Sequence, residues 1–530
     1  MLRALVGVVI IAVCASGLSF HAAAFQPWVR SARTSPFTIE GLLVKGDLIE
    51  GAPYPFNYGW FGSFGLNDNG ELAVVGYLGT FETGTASGMF VARTGEASAL
   101  ILRPYSSGGL SNAFPAINSG GEAAALIQRE PSVSSPLVLA LFSEGEQREL
   151  LALTQVLDNG RTVAGFNSYP VINDAGEVVI SAVSTDGQRE YVDYFILRAS
   201  GEMRLIGDGT EAPGGGVFSA IPGFLPPPAI NNRGDVLFLH GVSGGIYSGR
   251  DGLFLARETG IEKVVVNGDE LEPGFVEGGA HGSLNNLGQV AIVSGESVPP
   301  YRLGIFVWSN GTFTKIISVG ERSPDGGVIA SVAYGGEEGF YAQVPVARIN
   351  DSGTVVFNAK IEGPDGNLRR ALFLGSPRGM LRIAQQGDRL PTGDRLYRIT
   401  HYALNNLGQV AFYAYKDQPL GSIEPIGVFL ATPAAPAIRS VKLKSSDSGL
   451  TLRIKGDAMV AGDAIIEIDG VALEALGYPA KSRNDDGTAR IATSADPRLG
   501  DLLPVGTPVS VTVFNPLTGK RSEPFSFVRN

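Results

Sequence analysis

The alternation of apolar and polar positions returns repeatedly to one phrase. At Leu404–Phe412 it reads Leu-Asn-Asn-Leu-Gly-Gln-Val-Ala-Phe, and at Leu284–Ile292 Leu-Asn-Asn-Leu-Gly-Gln-Val-Ala-Ile. Looser copies begin at Leu66, Ile117, Ile172, Ile230 and Ile349. Each has an aliphatic residue, Asn, two variable residues, Gly, a polar residue and a small or apolar run. The seven pairs are Asn67 and Gly70, Asn118 and Gly121, Asn173 and Gly176, Asn231 and Gly234, Asn285 and Gly288, Asn350 and Gly353, Asn405 and Gly408. The flanks are strand-like, as in Val178-Val179-Ile180 and Val355-Val356-Phe357. Asn opening a tight turn can bond its side chain to the backbone two residues on, and Gly at the fourth place supplies the positive φ of a type I turn with a G1 bulge. The phrase therefore predicts a hairpin. A calcium loop is the rival reading, but it needs several oxygen ligands at fixed offsets. The intervening positions here include Leu287, Arg233 and Ala175.

Further features recur around each hairpin. A third strand follows a variable loop, as in Gly252-Leu-Phe-Leu and Gly427-Val-Phe-Leu. A turn with Gly comes next in six copies, and a fourth strand runs to a Gly-Asp or Gly-Glu pair: Gly207-Asp208, Gly268-Asp269, Gly320-Glu321 and Gly387-Asp388. The Asn residues are spaced by 51, 55, 58, 54, 65 and 55 positions. Four antiparallel strands at that period mark a propeller blade. The seventh copy runs from Leu430 into Ala-Thr-Pro-Ala-Ala-Pro without a fourth strand, while an unmatched strand, Thr38 to Val44, ends at Gly46-Asp47. The expected fold is all-β: a seven-bladed β-propeller over 37–432, closed by the N-terminal strand, which also removes an exposed edge.

Beyond a Pro-rich linker at 433–436 the period stops. Residues 437–530 read as about seven short strands: Ala437–Lys444, Leu450–Lys455, Ala464–Ile468, a stretch near Val471, Thr488–Thr493, Pro508–Phe514 and Phe525–Val528. That pattern fits an immunoglobulin-like sandwich.

Composition agrees with this picture. The chain has 530 residues, 71 Gly, 32 Pro and only 18% charged residues, the profile of a turn-rich all-β protein. Its net charge of −11 argues against a nucleic-acid surface. Arg3, the apolar run Leu5–Leu18 and Ala22-Ala23-Ala24 read as a secretory signal over 1–24, followed by a lead at 25–36. The apolar run is short for a membrane span. A retained anchor or a lipoprotein is the rival, although Val13 precedes Cys14 where a lipobox has a small residue. With cleavage the mature chain has no cysteine, hence no disulfide and no thiolate metal site. The expected place is outside the cell, at its surface or in the periplasm, with no membrane span after cleavage.

The repeats resemble those of bacterial secreted proteins with tandem Asn-x-x-Gly-x-x-Ala-Phe repeats, which Leu404–Phe412 matches fully. The second copy departs, with Gly120-Gly121 and Ala123-Ala124-Ala125. The resemblance covers about three quarters of the chain. It implies surface or secreted placement and a repeat fold, and carries no activity onto any residue. The C-terminal module resembles an IPT/TIG-type domain in Leu452-Arg-Ile-Lys-Gly456-Asp, Ile468-Asp-Gly470 and Val511-Thr-Val-Phe-Asn515-Pro. In that family such domains are often spacers or binding modules.

No zinc helix, nucleophile elbow or phosphate loop is present, and no cofactor or metal is expected. Only His240, His281 and His401 would remain after cleavage, too few for a His-rich metal site. Glu467/Asp469 and Asp485/Asp486 are carboxylate pairs in the C-terminal module, but an acid-base role fits poorly, since the second pair sits in the plain turn Asn484-Asp-Asp-Gly487. His281 and His401 each stand four residues before a repeat Asn, either as ligand contacts or as equivalent structural positions. Loops carry function more often than strands. The segment entering blade one holds Tyr54, Tyr58 and Trp60; that entering blade six holds Tyr334, Glu337, Phe340 and Tyr341; that entering blade seven holds His401. In a closed ring these blades are neighbours, so the residues form a candidate binding arc suited to stacking on sugars or gripping a peptide. Packing between blades is the alternative for the same aromatics. The expected function is non-catalytic binding of an extracellular glycan, envelope component or protein, by a monomer. A polysaccharide hydrolase or lyase, which needs two convergent carboxylates, and a purely structural envelope component are the alternatives.

Overall fold

The structure, a computed structural model, describes residues 36–530 except 60–63, 81–83, 105–113, 131–134, 144, 199, 220–225, 297–301, 325, 333–346, 418–422, 447–448, 461–463, 478–489 and 494–497. It is almost wholly β, and Leu499–Leu502 is the one α-helix among the described residues. Seven antiparallel sheets of four or five strands come first, and an eight-stranded assembly follows. In the fifth sheet, Phe275–Leu284, Val290–Glu296, Leu303–Ser309 and Thr312–Ser318 lie side by side in chain order.

The seventh sheet draws on both ends of this region. Arg398–Leu404, Val410–Asp417 and Ile423–Pro433 supply three strands. Phe37–Val44 supplies the fourth, antiparallel to the third, with Phe37 opposite Pro433 and Val44 opposite Gly427.

Period-2 alternation decides how the sheets stack. Along Val410–Asp417, Val410, Phe412 and Ala414 enter a core shared with Val356 and Leu372 of the sixth sheet. Ala411, Tyr413 and Tyr415 enter a core shared with Leu72 and Phe90 of the first. Both faces are thus buried. Five further cores pair the remaining successive sheets, so the order is cyclic. A fully buried side chain such as Phe412 contributes roughly 1.5–3 kcal/mol.

The repeat turns supply a second cyclic element. The Nδ2 of Asn67, Asn118, Asn173, Asn231, Asn285, Asn350 and Asn405 each donates to the carbonyl oxygen of the next Asn, over 2.8, 3.1, 3.0, 3.2, 2.9, 3.5 and 3.0 Å, the last returning to Asn67. Asn405 shows how the side chain is used up. Its Oδ1 accepts from Leu407 N (3.1 Å) and Gln409 N (2.9 Å), and its Nδ2 donates to Gln409 Oε1 (2.8 Å) and to Asn67. All four capacities of an amide are filled. This accounts for the polar residue after the repeat glycine as well as for Asn itself. The repeat glycines have φ between 75° and 81°, which the turn requires.

Residues 437–530 form eight described strands around a core of Leu452, Ile454, Ile466, Ile491, Val511 and Val513. The strands match the expected runs, with Lys520–Arg521 and the short helix as additions. This part touches the turn end of the ring. Thr354 Oγ1 donates to Leu517 O (3.4 Å), and Gly408 lies against Pro433 and the Thr518 carbonyl.

Candidate functional site

The first strand of each sheet lies against the first strands of its neighbours, so these seven strands line the axis. In the third sheet the strand is interrupted at mid-length, between Thr162–Phe166 and Val171–Ile172. The described first-strand stretches are Phe56–Gly59 and Gly65–Leu66 in the first sheet, Val217–Ser219 and Ala229–Ile230 in the fourth, and Val328–Val332 and Ala347–Ile349 in the sixth. In the fifth and seventh sheets a register shift falls between Glu277 and Ala280 and between Ile399 and Tyr402. One end of the axis is laced by the Asn ring. The other carries the connectors from each sheet to the next.

These connectors share one turn. A residue with positive φ (Gly46, Thr154, Gly209, Gly268, Gly387) precedes a residue whose side chain accepts a backbone N–H from three positions back. The pairs are Val44 with Asp47 (2.7 Å), Ala152 with Gln155 (3.1 Å), Gly207 with Thr210 (3.2 Å), Val266 with Asp269 (3.1 Å) and Gln385 with Asp388 (2.7 Å). In the third sheet the fourth strand, Met203–Gly207, runs to Gly207-Asp208 as expected, and the turn follows at Gly209-Thr210, where Gly209 has φ 86° and the Thr210 hydroxyl takes the carboxylate's place as acceptor.

Asp208 therefore occupies the position of Lys45, Leu153, Asn267, Val319 and Gln386, whose backbone N–H groups bond back to the preceding strand in the same way. It is 6% exposed. Its Oδ2 accepts from Val192 N (3.3 Å), and its Oδ1 lies 3.6 Å from Nε2 of the fully buried His240. Asp193, 3% exposed, accepts from Ser184 Oγ (2.6 Å) and Arg161 (3.2 Å), and burial pushes its carboxyl up. The His240 nitrogens face Ser219 O (2.8 Å) and Val192 O (3.4 Å), while Ser184 turns to Asp193. The cluster thus lacks the nucleophile-to-base contact of a hydrolytic triad.

Of the sequence-derived arc, Trp60, Tyr334, Glu337, Phe340 and Tyr341 lie outside the described residues, and of Tyr58 only the strand backbone is described. Tyr54 packs, partly buried, against the core shared by the first and seventh sheets. His401 lies in the register shift of the seventh sheet's first strand, 5% exposed, with Nδ1 3.0 Å from Thr400 Oγ1. Burial, then Arg398 and Arg348, pull its imidazole down to about 4. His281, the matching residue of the fifth sheet, is partly buried, and burial lowers it also. Both imidazoles are wall residues of the axis, set back from the surface.

Two cations of this wall escaped the sequence reading. Arg348 lies in Ala347–Ile349 and Arg398 opens Arg398–Leu404. Both are partly buried, and among the described residues neither has an ion pair. Burial lowers the Arg348 guanidinium. The signal lay in the repeat itself. Two residues before the repeat Asn the other six copies carry Gly65, Ala116, Val171, Ala229, Ser283 and Ala403. Among the described residues, no group of three or more His, Cys, Asp or Glu is placed to hold a metal ion.

A family model described as a family of unknown function (DUF7453) matches residues 172–442, just over half of the chain, and the chain belongs to that family. No curated protein matches the sequence. Among solved structures the chain is similar to the uncomplexed Pyrococcus horikoshii acylaminoacyl peptidase, at 11% identity and TM-score 0.39, over 75% of this chain and 58% of that one. It is similar also to the β-propeller domain of the Trilobed protease from Pyrococcus furiosus, at 10% identity and TM-score 0.38, over 70% of this chain and 94% of that one. A Mycobacterium tuberculosis puromycin-hydrolyzing peptidase matches at 11% identity and TM-score 0.37, over 78% of this chain and 61% of that one. The chain thus spans less than two thirds of each of the two peptidases.

Proposed function

We propose that this protein is an exported, non-catalytic binding protein whose ligand, a glycan or glycan-bearing envelope material, enters the connector end of the axis. In this reading the seven sheets are blades of a β-propeller over 37–432, closed by the strand Phe37–Val44. Residues 437–530 are an IPT/TIG-like immunoglobulin-type sandwich, and 1–24 a cleaved secretory signal. The cyclic order of cores and Asn bonds supports the blade count.

One observation carries the location of the site. The turn end is laced by the Asn ring and contacted by the C-terminal module, whereas the connector end leads to first strands that shift register beside polar residues, at Glu277 and His281 in the fifth sheet and at His401 in the seventh. Fixed hydrogen bonding at one end and varied side chains at the other is the division expected of scaffold and site.

The test is adsorption of the mature chain to a panel of insoluble polysaccharides and bacterial envelopes. Saturable retention on one material, lost on Trp60→Ala with Tyr334→Ala and Phe340→Ala while the melting temperature holds, supports the reading. Absence of retention on every material overturns the glycan and envelope assignment.

A further inference from the structure

Arg348 is the odd residue of the axial wall. Its six counterparts are Gly65, Ala116, Val171, Ala229, Ser283 and Ala403, so the wall elsewhere is small or apolar at this level. Its strand neighbours Ala347 and Ile349 enter the core with the fifth sheet, which turns Arg348 towards the seventh. There it meets Tyr402, whose hydroxyl accepts from Asn358 N (3.4 Å). Arg398 stands four residues before Tyr402 on the same strand, and both guanidiniums reach His401 electrostatically. His401, held well below its ordinary range, adds no positive charge at neutral pH and supplies no counter-charge either.

A partly buried guanidinium is ordinarily matched by a carboxylate, because an unmatched charge away from water is costly. Two other partly buried arginines of the ring follow this rule. Arg161 bonds Asp193 at 3.2 Å and Arg257 bonds Asp235 at 3.4 Å. Among the described residues Arg348 and Arg398 are not so matched, and they stand on neighbouring first strands of consecutive sheets. A guanidinium without a carboxylate suits an oxyanion carried on a sugar, because its fork takes two oxygens. Tyr402, 7% exposed, lies within the wall as part of the core between the sixth and seventh sheets.

We propose that the axial wall between the sixth and seventh sheets binds an acidic saccharide unit, carrying a carboxylate or a sulfate, through Arg348 with Arg398 and Tyr402 beside it. The proposal rests on the glycan-binding reading above and names the chemistry of its ligand.

The experiment is titration calorimetry on the full mature chain with three probes: a glucuronate-containing oligosaccharide, its neutral glucose counterpart, and sodium sulfate. Wild type, Arg348→Gln and Arg348→Lys are compared, with Arg398→Gln as the second variant should Arg348→Gln fail to fold. The expected result is binding of the acidic saccharide at least tenfold tighter than the neutral one. Arg348→Gln should weaken the acidic saccharide tenfold or more and leave the neutral one unchanged, with Arg348→Lys between. Equal binding of both saccharides, indifferent to Arg348→Gln, overturns this inference and leaves the glycan reading standing. Arg348-dependent binding of sulfate with neither saccharide bound overturns the glycan reading instead. Binding of none of the three overturns the inference and counts against the glycan reading too.

Discussion

Asn405 Nδ2 donates to the Asn67 carbonyl oxygen across 3.0 Å and joins residues 338 positions apart. The same bond links every consecutive pair of repeats, so the first and last meet on the terms that join neighbours. Asn405→Ala removes two acceptor sites and two donors from a buried turn. The expected loss is about 2–3 kcal/mol of unfolding free energy, read from chemical denaturation. Asn69→Ala, which loses one exposed bond to Ser119 O (2.8 Å), should cost under about 0.5 kcal/mol.

The strand Phe37–Val44 completes the seventh sheet, and Leu43 is fully buried in the core between the seventh and first sheets. Leu43→Ala should cost about 2–5 kcal/mol. Leu43→Asp should release the strand and expose the edge at Gly427–Pro433, giving concentration-dependent association visible by light scattering. A monodisperse, fully stable Leu43→Asp protein would refute the closure role.

His401 is neutral in the fold, with its pKa near 4, and binds a proton near 6.5 when unfolded. The unfolded state therefore holds more protons between these values, and stability falls as pH drops from about 6.5 to about 4. The loss is on the order of 3 kcal/mol from this residue, and His281 acts in the same direction. His401→Gln should flatten the slope of melting temperature against pH within that window. An unchanged slope would mean that the imidazole is hydrated in solution.

Asp208 Oδ1 is buried without a hydrogen-bond partner and lies 3.6 Å from His240 Nε2. His240 Nδ1 faces Ser219 O, and its Nε2 faces both the Val192 carbonyl and the carboxylate. Asp208→Asn would set an N–H there and remove a buried charge from beside Asp193. It should stabilise the protein by about 1–2 kcal/mol in denaturant titration. Destabilisation would mean that His240 and Asp208 form an ion pair in solution.

Much of the fold was legible because the information is local. Asn and Gly recur at fixed offsets since one turn needs them, and the spare strand after Pro36 was recognisable from its unmatched pattern. The connector turn at Gly209-Thr210 of the third sheet was not legible, because Thr210 there does the work that Asp does in other sheets. The candidate arc was chosen by aromatic content, a signal that does not separate packing from recognition. Tyr54 and His401 both lie against the interior.

By itself the sequence determined the strand period, the turn chemistry, the pairing of Phe37–Val44 with the last repeat and the end of the period near Pro433. Each follows from residues close in the chain or from a pattern counted along it. The tertiary structure alone decided that the Asn amides bond across sheets and that Asp208 faces His240. It alone showed Arg348 beside Tyr402 with no ion pair among the described residues. Those facts depend on how side chains distant along the chain share one space, where an unmet charge or amide acquires its cost only once water has been excluded.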